Sequence, residues 1–405
     1  MTAFSVATLV AYLGVLSLAA SMRNRFFVVF VGMILGIHSL SSTGLFKLLS
    51  PMGRPVEILL WYAQLSTFVY FARLPRARAA HTAYRALISW PASFFAAGVF
   101  LGFPWAIAAG LGFDPYLPWL PFAIAAFGFV QSLSSRRDHI RVTIDRSDRG
   151  PLARLKGSVL ERLPFRTDRT RSPHLTIVQI TDPHLGPFMS VERLQGICQR
   201  AVEEAPDLVV LTGDFLTIET QHSAEPLTRA LQPLSVMRGR VFACFGNHDH
   251  ECPDLVRHAL RENGIVLLVD EAASLSLPSG RVQIVGADHR YRDREAALRA
   301  VCESYPREEG ALRLWLLHDP GAFHAIPEGE ADLVLSGHTH GGHLGLLSLG
   351  LHHTVVSAAT KMPDHGLWAR GRDRLYVHRG TGHYGFPLRV GVPAEESVLE
   401  IVRPN

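Results

Sequence analysis

Apolar residues are spread along this chain in two different patterns. Up to residue 133 they form five long stretches, at roughly 4–20, 26–46, 56–72, 89–112 and 117–133, with polar residues mostly in the gaps. A helix of about 20 residues spans the hydrocarbon of a bilayer, so residues 1–135 are predicted to be an all-α transmembrane bundle of about five helices. From 174 onward the apolar runs are short: Leu175–Ile180, Leu208–Leu211, Val241–Phe245, Val282–Val285, Leu312–Leu317 and Leu333–Leu335. Segments of helical period, such as Val191–Ala205 and Pro226–Met237, lie between the early ones. That alternation predicts a C-terminal α/β domain over residues 173–405. The intervening residues 136–172 read as a basic juxtamembrane linker, with a strand at Ile140–Ile144 and an amphipathic helix near 151–163.

Charge follows the same division. The first 135 residues hold eight Lys/Arg and two Asp/Glu, residues 136–171 hold eleven against five, and the remainder twenty-one against twenty-nine. The formal net charge of +4 therefore hides a basic front and an acidic back. Because the basic excess lies outside the α/β domain, nucleic acid is a poor explanation for it, and attraction to anionic membrane lipids is a better one. Cys198, Cys244, Cys252 and Cys302 show no regular spacing and read as free thiols.

Five of the six short runs end in clusters of oxygen and nitrogen donors. Asp182-Pro183-His184 follows the first, Gly213-Asp214 the second, Gly246-Asn247-His248-Asp249 the third, His318-Asp319 the fifth, and Gly337-His338-Thr339-His340 the sixth. Sites in α/β sheets are built at the carboxyl ends of strands, so these clusters are expected on one rim. Imidazole and carboxylate donors suit a pair of ions such as Mn, Fe or Zn better than Ca or Mg. Asp-x-His and His-x-His each set two donors on one side of an extended chain, since side chains there alternate with period two. His250, His324, His352, His353 and His383 read as surface residues or as supports around the site.

In this set of blocks the chain resembles the calcineurin-like metallophosphoesterase superfamily, whose order Asp-x-His, Gly-Asp, Gly-Asn-His-Asp/Glu, His, Gly-His-x-His is present in full over about 174–402. The resemblance implies a β-sandwich flanked by helices and a phosphohydrolase with two divalent or trivalent ions. Carried over block by block, Asp182, His184 and His340 would hold one ion, and Asn247, His318 and His338 the other, with Asp214 bridging. His248 would stand over the phosphate as a catalytic residue rather than a ligand. The closest likeness is to the membrane-associated or exported branch, supported by Leu375-Tyr376-Val377-His378-Arg379-Gly380-Thr381-Gly382. Pro183, His343 and His383-Tyr384-Gly385 depart from that branch's pattern.

Two ions ~3.5–4 Å apart can hold a bridging hydroxide and neutralise the attacking and leaving oxygens of a phosphate ester. His248 is then expected to stabilise the phosphoryl group or protonate the leaving alcohol, and Asp249 to orient His248 through its ring N–H. The expected function is a membrane-anchored dimetal hydrolase of phosphate mono- or diesters. A narrower alternative is a hydrolase of lipid-linked or nucleotide-sugar pyrophosphates. A third, of another class, is a membrane sensor or transporter that uses the domain to bind ligand. With five spans, Arg23, Arg25, Arg73, Arg76, Arg78, Arg85, Arg136, Arg137 and Arg141 share one side, so the positive-inside rule predicts a multi-pass protein with a cytoplasmic catalytic domain. Nothing in the sequence fixes the oligomeric state.

Overall fold

The computed structural model describes residues 2–77, 80–155, 160–163 and 175–403. The chain divides into two compact units. One comprises Met1–Leu133 together with Ile218–His222 and Gly385–Val390; the other comprises the rest from Ser134 onward.

The first unit is helical. Helix α1 (Ala3–Met22) begins where the Thr2 hydroxyl accepts the N–H of Ser5, and α2 (Arg25–Leu49) where the Asn24 side chain accepts the N–H of Phe27. Then come α3 (Arg54–Arg73), α4 (Thr82–Leu101, with a π-turn at Arg85–Ser89), α5 (Phe103–Gly110) and α6 (Leu120–Ser132). Helix α1 packs on α2 and α3, α3 on α4, and α4 on α6.

Among the described residues, three helices are long and apolar enough to cross a membrane: Ala3–Met22, Arg25–Met52 and Thr82–Leu101. Five were expected from the apolar stretches. The third stretch forms a 20-residue helix, but Gln64, Ser66 and Thr67 lower its apolarity, and all three are buried. The fourth breaks at Gly102, and the fifth yields a helix of only 13 residues.

The second unit is a sandwich of two seven-stranded sheets. Its strands are β1 (Ser135–Thr143), β2 (Ala153–Arg154), β3 (Leu160–Leu163), β4 (Leu175–Ile180), β5 (Leu208–Leu211), β6 (Val241–Ala243) and β7 (Val266–Leu267). They continue with β8 (Glu271–Leu277), β9 (Gly280–Gly286), β10 (Leu312–Leu316), β11 (Leu333–Ser336), β12 (Gly366–Arg370), β13 (Asp373–Val377) and β14 (Ala394–Val402). One sheet runs β3-β1-β14-β4-β5-β6-β7 and the other β2-β12-β13-β11-β10-β9-β8.

Alternation decides which residues fill which layer. Ile177, Val210 and Phe242 point between the sheets and meet Ile284, Leu314 and Leu335. Their neighbours Val178, Val209 and Leu211 face outward, where α7 (Val191–Glu203), α8 (Glu225–Leu231) and α9 (Pro253–Glu262) cover them. On the other side Val285, Trp315 and Val334 lie under α10 (Arg294–Ser304), which contributes Leu298 and Val301.

The expected linker is corrected in part: the strand expected at Ile140–Ile144 is present but starts earlier and is built into the sandwich. Ser135–Thr143 is a full strand, paired in parallel with β14, and Ile140 and Val142 belong to the core between the sheets. The amphipathic helix expected near 151–163 is not formed: Ala153–Arg154 and Leu160–Leu163 are strands. Residues 156–159 and 164–174 lie outside the described residues.

Candidate metal centre

Strands β4, β5 and β6 run parallel, as do β10 and β11. Their carboxyl ends bring the donor clusters of both sheets together. Two groups of three side chains result: Asp182, His184 and His340, and Asp214, His318 and His338. Within each group the ligand atoms all lie within 4.8 Å of one another. In the first, His340 Nε2 is 3.2 Å from His184 Nε2 and 3.4 Å from Asp182 Oδ1. In the second, His318 Nε2 is 3.2 Å from His338 Nδ1 and 3.3 Å from Asp214 Oδ2. Asn247 Oδ1 lies 3.2 Å from the same His318 nitrogen. Asp214 Oδ2 is also 3.5 Å from His184 Nε2, so this one oxygen stands between the groups.

The backbone is bent to make this possible. Asp182, His184, Asp214, His338 and His340 all have φ between +45° and +69°, a left-handed region that non-glycine residues seldom adopt and that marks strained functional loops. Close approach does the rest. A Cβ on Gly246 would lie 2.1 Å from Asp214 Oδ1, and one on Gly337 would lie 2.2 Å from Asp182 Oδ2.

The donor set fits metal ions. His318 donates its Nδ1–H to the Thr212 carbonyl at 2.7 Å, so in a neutral ring Nε2 is a bare lone pair. That lone pair faces another ring nitrogen and a carboxylate oxygen, an arrangement a cation relieves and a neutral filling does not. The site draws positive charge in any form. Burial lowers the His318 imidazole, but the Asp214 carboxylate more than compensates and holds it up at about 10. Burial pushes Asp214 up, and His318 beside it reverses that, leaving it well below the usual carboxylate range. Burial alone dominates at His184, pulled down to about 3. Neutral imidazoles and an ionised carboxylate are the forms that ligate.

His248 stands beside the two groups. Its backbone N–H donates to Asp214 Oδ1 at 2.9 Å, and its ring is 5.6 Å from that of His184. The carboxylate on its ring is Glu251, whose Oε1 accepts from Nδ1 at 2.9 Å. This corrects the expectation for Asp249. The Asp249 side chain turns away and accepts the N–H groups of Asp214 (2.8 Å), Gly246 (2.8 Å) and Phe215 (2.9 Å), tying two site loops together. Residues 249–251 form a 3₁₀ turn, which carries Glu251 back under His248. Burial lowers the His248 ring, but the Glu251 hydrogen bond and the Asp214 charge outweigh it and hold the ring above its ordinary value.

Three residues not assigned from the sequence also reach the site. Tyr384 stacks on the His248 ring at 4.2 Å and 26°, and His343 on that of His340 at 4.9 Å. His289 lies 6.2 Å from His338 and 6.3 Å from His318. His289 follows β9, the fourth apolar run, much as the ligands follow theirs, whereas His343 and Tyr384 lie deeper in loops where spacing carries no signal. Of the other histidines, His250 pairs with Asp288 at 2.9 Å and His383 is buried against Phe188. His352 stacks on His365 instead.

Comparison with known proteins agrees with this geometry. The sequence profile described as calcineurin-like phosphoesterase matches residues 175–342. The chain is 30% identical to phosphodiesterase YaeI of Escherichia coli over 60% of its own length and 87% of the relative's. It is 27% identical to the uncharacterized metallophosphoesterase YkuE of Bacillus subtilis, over 56% and 79%. A Danio rerio protein named as a transmembrane protein with metallophosphoesterase domain is 31% identical over 55% of this chain and 52% of that one. With its strand-end donors assembled into two metal-competent groups and a relative of this similarity matched over most of its length, the chain belongs to the calcineurin-like phosphoesterases and is a metal-dependent phosphoester hydrolase.

Proposed function

We propose that the chain is a membrane-anchored dinuclear phosphoesterase acting on phosphate mono- or diesters. Asp182, His184 and His340 hold one ion, Asn247, His318 and His338 hold the other, and Asp214 is shared. The observation that supports this most directly is Asp214 Oδ2, within 3.5 Å of a histidine nitrogen from each group. Such ions, when bound, lower the pKa of their water and offset charge on the phosphoryl group.

The remaining work falls to side chains of the chain itself. Glu251 occupies Nδ1 of His248 and leaves Nε2 for a phosphoryl oxygen or the leaving alcohol. The same contact favours the protonated ring, the form able to give a proton to the departing oxygen. Tyr384 covers one face of that ring and keeps water off it. Asp249 acts through the loops it ties together, not on the substrate.

Anchoring is supported by the three long apolar helices. We count α3 and α6 as crossings too. The polar residues of α3 are buried inside the unit and need not meet lipid, and its 20 residues reach about 30 Å. Helix α6 is shorter and relies on local thinning of the bilayer. Five crossings put the arginines before α2, after α3 and after α6 on one side, so the catalytic unit faces the cytoplasm.

The metal assignment is tested by Asp214→Asn. The variant loses ions from both groups and hydrolysis with them. Two ions per purified chain and near-normal turnover of bis-p-nitrophenyl phosphate would overturn it.

A further inference from the structure

Large apolar side chains exposed one at a time are ordinary, but in the catalytic unit four of them, Leu346, Leu349, Leu351 and Val355, fall within ten residues. They sit on a loop that starts at the metal centre. His343, which stacks on the His340 ring, comes immediately before its first residue, Leu344. The other end is held at Thr354, whose hydroxyl donates to Asp364 Oδ2. The Asp364 carbonyl in turn accepts the hydroxyl of Thr339, between His338 and His340, at 2.6 Å.

The backbone of this loop is satisfied from within. Gly345 and Thr354 form an antiparallel bridge, and Leu346 donates its N–H to the His353 carbonyl at 2.8 Å. A 3₁₀ turn at Leu347–Leu349 ends on Gly350 at φ +78°. The N–H groups of Leu349 (3.0 Å), Gly350 (3.0 Å) and Leu351 (3.2 Å) all donate to carbonyls of the loop. A turn closed in this way can leave water without stranding polar groups, the condition for entering a bilayer. Leu349, at the turn, is 74% exposed.

Charge and size decide what it meets. Residues 344–363 contain no Asp or Glu, although acids outnumber bases in the sequence from 172 onward, and their one Lys or Arg is the exposed Lys361. A patch without carboxylates and with a lysine beside it suits the anionic face of a membrane. Four side chains fall far short of the ~20–30 residues a side of a stable protein interface, a second copy of this chain included. Lipid is also always at hand, because the same chain carries three helices long and apolar enough to cross a membrane.

We propose that the loop at 344–355 enters the interfacial layer of the membrane, with Leu346, Leu349 and Leu351 against the acyl chains and Lys361 at the headgroups. The proposal rests on the anchoring reading above and not on the identity of the reaction.

The test is fluorescence quenching of the full chain in nanodiscs of phosphatidylcholine and phosphatidylglycerol. Cys252 and Cys302, the two cysteines that are not fully buried, are replaced by Ser, and Leu349→Cys carries a nitrobenzoxadiazole label. Val236→Cys, at a residue 72% exposed in the same unit, carries it as the control. Nitroxide borne on lipid acyl chains quenches the label at 349 and not at 236, and aqueous iodide does the reverse. Adding Leu346→Ser and Leu351→Ser, each at a half-exposed residue, lowers the ratio of inserted to free label at 349 by about tenfold or more. Equal quenching at the two positions overturns the proposal, and so does unchanged quenching at 349 in the serine variant. A label at 349 that neither quencher reaches is covered by protein, which overturns it too. A chain that does not stay in the nanodiscs fails the anchoring reading and takes the proposal with it; retention without quenching at 349 fails the proposal alone.

Discussion

Replacing Asp249 by Asn separates two roles for this carboxylate, because the change keeps its shape and removes one acceptor. In the folded chain Oδ2 takes the N–H groups of Asp214 and Gly246, and Oδ1 takes that of Phe215. An Asn can present its oxygen to the first pair, but its NH₂ then meets the Phe215 N–H, and one buried donor is left without a partner. That donor costs about 1–3 kcal/mol, and the two surviving bonds weaken when the charge is lost. A total of about 2–4 kcal/mol is a large part of the usual 5–15 kcal/mol of a domain. At about 2–4 °C per kcal/mol for a unit of this size, the melting temperature falls by roughly 5–15 °C. Since Asp249 holds the backbone N–H of Asp214, metal content falls as well. Calorimetry and metal analysis of the purified full chain measure both. A variant with unchanged melting temperature and full metal, but an altered pH–rate profile, would refute this and return Asp249 to the role of orienting His248.

Three further outcomes are expected. His248→Ala retains its metals yet loses about 10²–10⁴ in rate, and the loss shrinks for esters with good leaving groups; an equal loss for all leaving groups removes the proton-donor role. Burial pushes Glu395 up, but Arg379, whose Nε is 3.1 Å from Glu395 Oε2, reverses this and brings it to about 2 against an ordinary 4.5. Its contribution to stability is therefore complete above pH 4.5 and lost as pH falls through about 2, and Glu395→Gln flattens that part of a pH series of melting curves. A reporter active only outside the cytoplasm, fused after Asn405, stays silent; strong activity there reverses the proposed orientation.

Much of the site was legible because its donors follow strands. Asp182, His184, Asp214, Asn247, His318, His338 and His340 each come just after an apolar run, and parallel pairing carries those run ends to one rim. Glu251 was not legible: its contact with His248 depends on a 3₁₀ turn, while Asp249 is nearer in sequence and of the same type. Tyr384 reaches the centre from a loop, where no period relates position to direction, whereas His289 follows the carboxyl end of β9 and was as legible as the ligands. Strand β1 was legible only in its second half, where Ile140 and Val142 alternate inward; its first half, Arg136-Arg137-Asp138-His139, reads as solvated linker. In the helical unit, mean apolarity cannot distinguish a polar residue that faces lipid from one that faces a neighbouring helix, and α3 differs from a plain span by just such residues.

Strand β14 lies between β1 and β4, at the heart of the first sheet, and pairs Ala394 with Ser135. During synthesis β1 therefore emerges with its main partner still about 260 residues away. At ~5–20 residues per second that is a wait of roughly 15–50 s, in which one edge of β1 and one edge of β4 are both open. Exposed edges invite pairing with other chains. The helices of the first unit, α1 to α6, are made first and have time to form before the sandwich can close. A ribosome that stalls after residue 340 and before residue 394 leaves a chain whose metal-binding residues are all made but whose first sheet is still split in two.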